Sequence, residues 1–429
     1  MRESMAAMTV RGRAFLAAGI TTTVCSILLG FDALMRVGIL AMALPLLTAL
    51  LVSRARYRLM AHRNVSPTRA SVGQDATVSL TLVNEGRMPM GLLLFEDHVP
   101  YTLGRPARFT VDHMSPHWHQ DLAYTVRSGM RGQYTLGPLS VRVSDPFGFI
   151  ALKRSFTVTS EIIVTPQILP LRALDLTGEW SGAGERRPRA FAVGSSEDVT
   201  VREYRRGDDL RRVHWRSSAH AGELMVRREE QPWQSRATVV LDTRRAAHVG
   251  AGAESSLEWC VTAAASVCVH LAHAGFAVRL ITDHPDIEVS GWADSSADPL
   301  AQTGPILDQL AVAGPSPYGD LDHAATNVSS QPGLVVALLG SSSAHDLGTL
   351  ARLTPNSSRS MVLLLDTHAW TTREAQADPD IDGQLELMRA SGWAAIRVGP
   401  HDTVPAAWDK LGQVGAPSGT TTATSLAAR

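Results

Sequence analysis

The sequence predicts a multidomain protein: an N-terminal transmembrane helical hairpin, then an all-β sandwich, then an α/β domain on a parallel sheet. Three observations predict it. Two apolar runs open the chain, hydrophobicity then alternates with a period of two, and near-continuous apolar strands finally alternate with helix-compatible stretches. At 429 residues the chain exceeds the usual single-domain size.

The apolar runs are Ala14–Phe31 and Leu34–Val52. Each is near the roughly 20 residues needed to cross a bilayer core. A tight link with Asp32 and Arg36 joins them, so residues 14–53 read as a hairpin contacting the bilayer. A cleaved signal peptide would account for the first run but not for the second. Arg2, Arg11 and Arg13 precede the hairpin, and Arg54, Arg56, Arg58 and Arg63 follow it. The positive-inside rule then places both termini and the soluble body in the cytoplasm, with residues 1–13 as a cytoplasmic N-terminus on the cell membrane.

From residue 71 to 166 the pattern is that of strands. Val78, Leu80 and Leu82 share one face of Thr77–Val83, and Leu122–Val126 and Leu139–Val143 alternate in the same way. Turn signals at Asn84-Glu85-Gly86, Arg131-Gly132 and Asp145-Pro146-Phe147-Gly148 separate them. Short strands so spaced indicate a sandwich of immunoglobulin-like kind. Residues 167–200 read as a loop and linker rich in Gly, Arg and Ser.

Between residues 237 and 414 the apolar runs Ala237–Leu241, Val278–Thr282, Leu334–Leu339, Met361–Leu365 and Ala394–Val398 read as buried parallel strands. Ser256–His273 reads as a long helix stopped by Gly275. Residues 415–429 read as a disordered tail.

The segment from 201 to 231 is the densest polar stretch. It holds eight arginines, six carboxylates, two histidines and one tryptophan. Asp208 and Asp209 after Gly207 suit a turn opening into a helix, with Arg212 and Arg216 one turn apart and Val213 and Trp215 packing inward. By composition alone it is an ion-paired surface helix.

The pattern Arg202, Glu203, Tyr204, Gly207, Asp208, Asp209, Arg211, Trp215, Ser218, Ala219, then Leu224, Met225, Val226 and Arg227, resembles the signature of the bacterial family called domain of unknown function 58. The resemblance implies a membrane-anchored protein with a von Willebrand type A-like α/β domain, partnered by an AAA+ ATPase of MoxR type. The expectation that follows is a non-catalytic adaptor or scaffold in the assembly or maturation of protein complexes. Its candidate binding residues are those of the signature, with Arg212 and Arg216. Asp208, Asp209, Arg211 and Arg212 are expected to form an ion-pair network, Trp215 to fill an apolar seat near Tyr204, and Glu203 and Arg216 to face a partner.

The type A resemblance also carries a metal expectation, through D-x-S-x-S at the end of the first strand. Asp242 holds the first position, but Arg244 and Ala246 stand at the two serine positions and supply no ligand oxygen. Asp242 is therefore expected to pair with arginine or cap a turn. The alternative function class is a thiol- or metal-dependent enzyme using Cys260, with Asp283 and His284 as partners, or Asp242. A cysteine inside an apolar helix is more simply a small buried hydrophobe. His113, His117 and His119 form a histidine cluster that reads as a solvated loop.

The formal charge of −1 leaves no electrostatic footprint for nucleic acid. The chain carries no G-x-x-x-x-G-K-[ST], no H-E-x-x-H and no G-x-S-x-G pattern, so no cofactor is expected. Three cysteines set no disulfide framework.

Overall fold

The structure is a computed structural model, and it describes residues 8–54, 59–86, 92–112, 114–115, 118–145, 147–174, 200–204, 213, 215–228, 236–283, 298–327, 333–352, 359–371 and 380–414. Helices α1 (Val10–Leu29) and α2 (Asp32–Arg54) form the predicted hairpin. Both are long and apolar enough to cross a bilayer. They pack closely because glycines face the seam: a Cβ at Gly19 would lie 2.6 Å from the Met42 side chain, and one at Gly38 would overlap Thr23 Oγ1. Gly30 closes α1 at φ 72°, the left-handed conformation a helix stop needs.

Among the described residues the β-rich unit holds ten strands: β1 (Leu59–Ser66), β2 (Arg69–Ser71), β3 (Asp75–Asn84), β4 (Leu93–Asp97), β5 (Ala107–Val111), β6 (His119–Arg127), β7 (Gly132–Leu136), β8 (Leu139–Ser144), β9 (Ala151–Phe156) and β10 (Ser160–Thr165). They form sheets of order β1-β3-β6, β2-β10-β7 and β5-β4-β8-β9. Val78, Leu80, Leu82, Leu139, Val141 and Val143 are buried, as their alternation predicted. The unit begins at Leu59, ahead of the expected start at residue 71. Strand β1 escapes a hydrophobic pattern because its inward positions include Arg63, which is 6% exposed. Its guanidinium forms a two-point pair with Asp97 of β4, at 3.2 and 2.5 Å, and also donates to the carbonyls of Leu136 and Val158. Tyr124 donates its hydroxyl to the same Asp97 at 2.6 Å. Burial, and then this bond to the carboxylate, push the Tyr124 phenol far up.

The α/β unit carries β13 (Arg236–Leu241), β14 (Ala277–Thr282), β15 (Leu334–Leu339), β16 (Arg359–Leu365) and β17 (Ala394–Val398) in an all-parallel sheet. The strand order is β14-β13-β15-β16-β17. Ahead of it come β11 (Thr200–Glu203), α3 (Trp215–Ala221) and β12 (Met225–Arg228). The remaining helices are α4 (Ser256–His273), α5 (Pro299–Val312), α6 (Asp322–Asn327), α7 (Ala344–Ala351), α8 (Thr367–Thr371), α9 (Ile381–Ala390) and α10 (Val404–Val414). One face of the sheet buries its apolar side chains against α4, α5 and α10, the other against α6, α7 and α9. Both faces are covered, which explains strands that read as unbroken apolar runs. Helix α4 has the expected limits, capped by Ser255 Oγ accepting from Glu258 N.

Part of the expected linker is ordered against this unit. Leu171 and Leu174 pack on the core, and Trp408, fully buried, donates Nε1–H to the Arg172 carbonyl at 3.0 Å. Residues 175–199 lie outside the described residues, as does the tail 415–429.

The β-rich and α/β units are joined directly. Arg131, in the turn between β6 and β7, makes a two-point pair with Glu258 of α4 at 2.8 and 2.9 Å. It also caps the C-terminal carbonyls of α5, donating to Leu310 and Ala313. Burial pulls the Arg131 pKa down and pushes that of Glu258 up, each shift opposed by the partner's charge. Arg69 of β2 adds an exposed pair with Asp308.

Candidate functional site

In a sheet of order 2-1-3-4-5, ligands bind in the crevice beyond the carboxyl ends of the strands, where the connections change direction. Here that point lies between β13 and β15. The residues that follow those strands, Asp242-Thr243-Arg244 and Gly340-Ser341-Ser342-Ser343, therefore define the candidate site.

Arg244 fills it. The residue is 3% exposed, and all five guanidinium protons have acceptors. Nε and NH2 reach Asp242 Oδ1 and Oδ2 at 3.0 and 2.9 Å, and NH1 reaches Asp346 Oδ2 at 2.9 Å. The carbonyls of Gly319 and Ser341 take the last two at 3.3 Å. Asp242 is fully buried and also accepts from the backbone N–H of Arg244 and of Gly340. Burial works against the charged guanidinium, but the two carboxylates outweigh it and raise the Arg244 pKa above its ordinary value. Backbone packing seals the same place. The loop after β15 approaches so closely that a Cβ on Gly340 would overlap the Ala247 carbonyl.

Asp346 belongs to the same cluster. It sits at N3 of α7 in a capping box with Ser343, whose N–H and hydroxyl both donate to Oδ2 at 2.9 and 2.7 Å. Burial acts to raise its pKa, and the Ser343 bonds and Arg244 outweigh burial, so the pKa stands below the ordinary 3.8. A depressed aspartate contributes stability above its unfolded pKa and loses it as pH falls through the folded value. The gap in stability between the native chain and Asp346→Asn is therefore expected to be constant near neutrality and to close as acid is added from about pH 5 downward. Urea unfolding followed by tryptophan fluorescence across pH reads this. A gap that widened in acid would contradict the assignment.

The residues fit no divalent metal at Asp242. A guanidinium lies on both carboxylate oxygens, and Ala246 offers no donor. Asp283, also fully buried, accepts from Thr243 N and Oγ1 at 2.8 and 2.5 Å. Cys260 is fully buried in α4, and burial, then the charge of Asp242, push its thiol well above the usual range. That is the environment of a protonated thiol, not of a thiolate nucleophile. His284, its candidate partner, lies outside the described residues, as do His113 and His117 of the histidine cluster.

The signature segment forms a separate small element. β11 and β12 pair antiparallel, with Arg202 opposite Val226 and Glu203 opposite Met225, and Arg227 opposite Val201. Tyr204 N donates to the Leu224 carbonyl at 2.7 Å, and Ser218 Oγ accepts from Met225 N at 2.8 Å, which ties α3 to the ribbon. Gly207, Asp208, Asp209, Arg211 and Arg212 lie outside the described residues, and so does the ion-pair network expected of them.

The expected spacing of Arg212 and Arg216 on one helix lies outside the described residues, because Arg212 does. One expectation here is corrected. Val213 is buried, but Trp215 is 70% exposed and fills no apolar seat. The described helix is only seven residues long and none of its residues is buried, so it presents no inward stripe. Trp215→Ala is accordingly expected to change unfolding free energy by less than about 0.5 kcal/mol. A loss of several kcal/mol in urea unfolding would return Trp215 to the interior.

Fold and site together define a class: an apolar helical hairpin, a β-rich unit and a doubly wound α/β unit whose switch-point crevice is closed by its own arginine. Residues 200–331 match the family model described as "Protein of unknown function DUF58". No curated protein matches the chain. Among solved structures it is similar to the CARDB domain of the PF1109 protein from Pyrococcus furiosus, at 14% identity over 26% of this chain and 90% of that one, with a TM-score of 0.20. It is also similar to the alkylpurine DNA glycosylase AlkC from Pseudomonas fluorescens (15% identity, 31% of this chain and 39% of that chain, TM-score 0.17). A third is a FixG-related protein from Vibrio parahaemolyticus (11% identity, 26% and 97%, TM-score 0.18). Overlaps this small carry no argument about fold or function.

Proposed function

We propose that this protein is a non-catalytic adaptor, anchored in the cell membrane by α1 and α2 with its soluble units in the cytoplasm, that works with an AAA+ ATPase of MoxR type. The α/β unit would serve as a von Willebrand type A-like interaction module beside an immunoglobulin-like sandwich. The observation that carries this reading is Arg244 in the switch-point crevice. The place where this architecture does ligand chemistry is taken by the chain's own cation, so its surface is left to act. Trp215 and Arg216, exposed side by side in the signature element, suit that surface, since Trp and Arg dominate binding energy at protein interfaces. The ATPase itself comes from the family resemblance.

Co-purification of the tagged full-length protein from gently solubilised membranes tests the proposal. An AAA+ ATPase is expected in the native sample and absent from a Trp215→Ala/Arg216→Ala variant, whose exposed substitutions leave folding intact. No ATPase with the native protein would overturn the partnership. Equal recovery with the variant would move the contact away from Trp215 and Arg216.

A further inference from the structure

The turn residues 147–150 of the β-rich unit do not sit clear of the hairpin. Thr9, the N-cap of α1, donates its N–H to the Phe149 carbonyl at 2.8 Å and its hydroxyl to the Gly148 carbonyl at 2.6 Å. The Phe149 ring lies 4.9 Å from that of Phe15, centroid to centroid. Phe149 and Ile150 form one buried cluster with Ala49 of α2, and Leu44 packs against it. A 20-residue helix spans about 30 Å, the thickness of a bilayer core, so the start of α1 marks one boundary of that core. Phe15, five residues inside, lies about 8 Å deeper. The turn is thus fastened at the boundary and reaches inward from it.

Its conformation is held by Asp145, whose Oδ1 accepts from Ile150 N at 2.6 Å and whose Oδ2 accepts from Phe147 N at 3.2 Å. Gly148 takes φ 71°, which only glycine adopts without strain. So held, the turn buries Phe149 and leaves Phe147 stacked on it at 5.8 Å and 55% exposed. Val10 and Phe15, 82% and 46% exposed, continue this apolar rim on α1. Arg11 and Arg13 are exposed among them, and a Cβ on Gly148 would stand 3.7 Å from the Arg11 guanidinium. Aromatic rings and arginines at the end of an apolar helix are the composition of a membrane–water interface.

We propose that this turn is a lipid-binding element: Phe147 enters the headgroup–acyl boundary of the bilayer beside α1, with Arg11 and Arg13 on lipid phosphates. The β-rich unit is then held to the membrane by its own surface as well as by the chain leading out of α2. This rests on the reading of α1 and α2 as a membrane hairpin, and the test separates the two.

The full-length protein, with Cys25→Ala, is labelled with an environment-sensitive fluorophore at Phe147→Cys, Tyr101→Cys or Ile39→Cys, and placed in phosphatidylcholine–phosphatidylglycerol vesicles. Cys260 and Cys268 are buried and stay unlabelled in the folded protein. Lipids carrying a nitroxide quencher near the headgroup are compared with lipids carrying it near the chain end. The Phe147 probe is expected to shift to the blue and to lose emission mainly to the shallow quencher. The Ile39 probe, in mid-helix, should respond mainly to the deep one. The Tyr101 probe, 91% exposed on the β-rich unit, should respond to neither. An Ile39 probe that no quencher reaches would overturn the hairpin reading. With Ile39 quenched, a Phe147 probe as unresponsive as that at Tyr101 would overturn the lipid-binding turn alone. A photoreactive benzoylphenylalanine at 147, which keeps the ring, gives a second reading: crosslinks to lipid are expected, and their absence counts against the proposal.

Discussion

Arg244→Ala is expected to lower the unfolding free energy of the α/β unit by about 3–5 kcal/mol, the cost of leaving buried carboxylates without their cation. Asp242 is fully buried and Asp346 is 3% exposed, so water cannot take the place of the guanidinium without opening the loops that follow β13 and β15. The carbonyls of Gly319 and Ser341 lose a donor at the same time. Arg244→Lys should recover only part, because a lysine ammonium cannot make the two-point pair with Asp242 while also reaching Asp346. Urea unfolding by tryptophan fluorescence gives the difference. A loss below about 1 kcal/mol would mean that the crevice is wet and that Arg244 does not close it.

Arg63→Ala should cost a similar amount, about 3–5 kcal/mol, in the β-rich unit. The side chains of Arg63 and Asp97 are 1% and 0% exposed, and Arg63 links β1 to β4 and to the carbonyls of Leu136 and Val158. Among the described residues, truncation leaves the Asp97 charge with the Tyr124 phenol as its side-chain donor. The double variant Arg63→Ala/Asp97→Ala should be less unstable than the sum of the two single variants, since it removes the stranded charge as well. Strict additivity in thermal unfolding would contradict a coupled pair. β1 follows α2 after only four residues, so loosening it should also loosen the β-rich unit from the hairpin.

Much of the fold was legible because burial on both faces writes itself into sequence. Leu334–Leu339 and Ser256–His273 were readable end for end, the first as an unbroken apolar run, the second by its cap and its glycine stop. The alternation of Val78, Leu80 and Leu82 showed the β-rich unit because there only one face of the strand is buried. What escaped was long-range polar pairing. Arg131 meets Glu258 and Ala313 across 127 and 182 residues, and Arg244 meets Asp346 across 102. No local pattern marks such partners. Position 244 did show that the metal pattern was broken by a cation, but Asp346 carried no signal beyond its capping box with Ser343. Trp215 was misread because an aromatic near a helix start looks the same in sequence whether it turns inward or stays exposed.

The most direct test is manganese binding by the full-length protein, read by electron paramagnetic resonance of free Mn²⁺, with Asp242→Asn alongside. With Arg244 on both Asp242 oxygens, the native protein and the variant should bind manganese identically. One Mn²⁺ per chain bound by the native protein and lost in Asp242→Asn would show a working metal site and contradict a crevice closed by arginine.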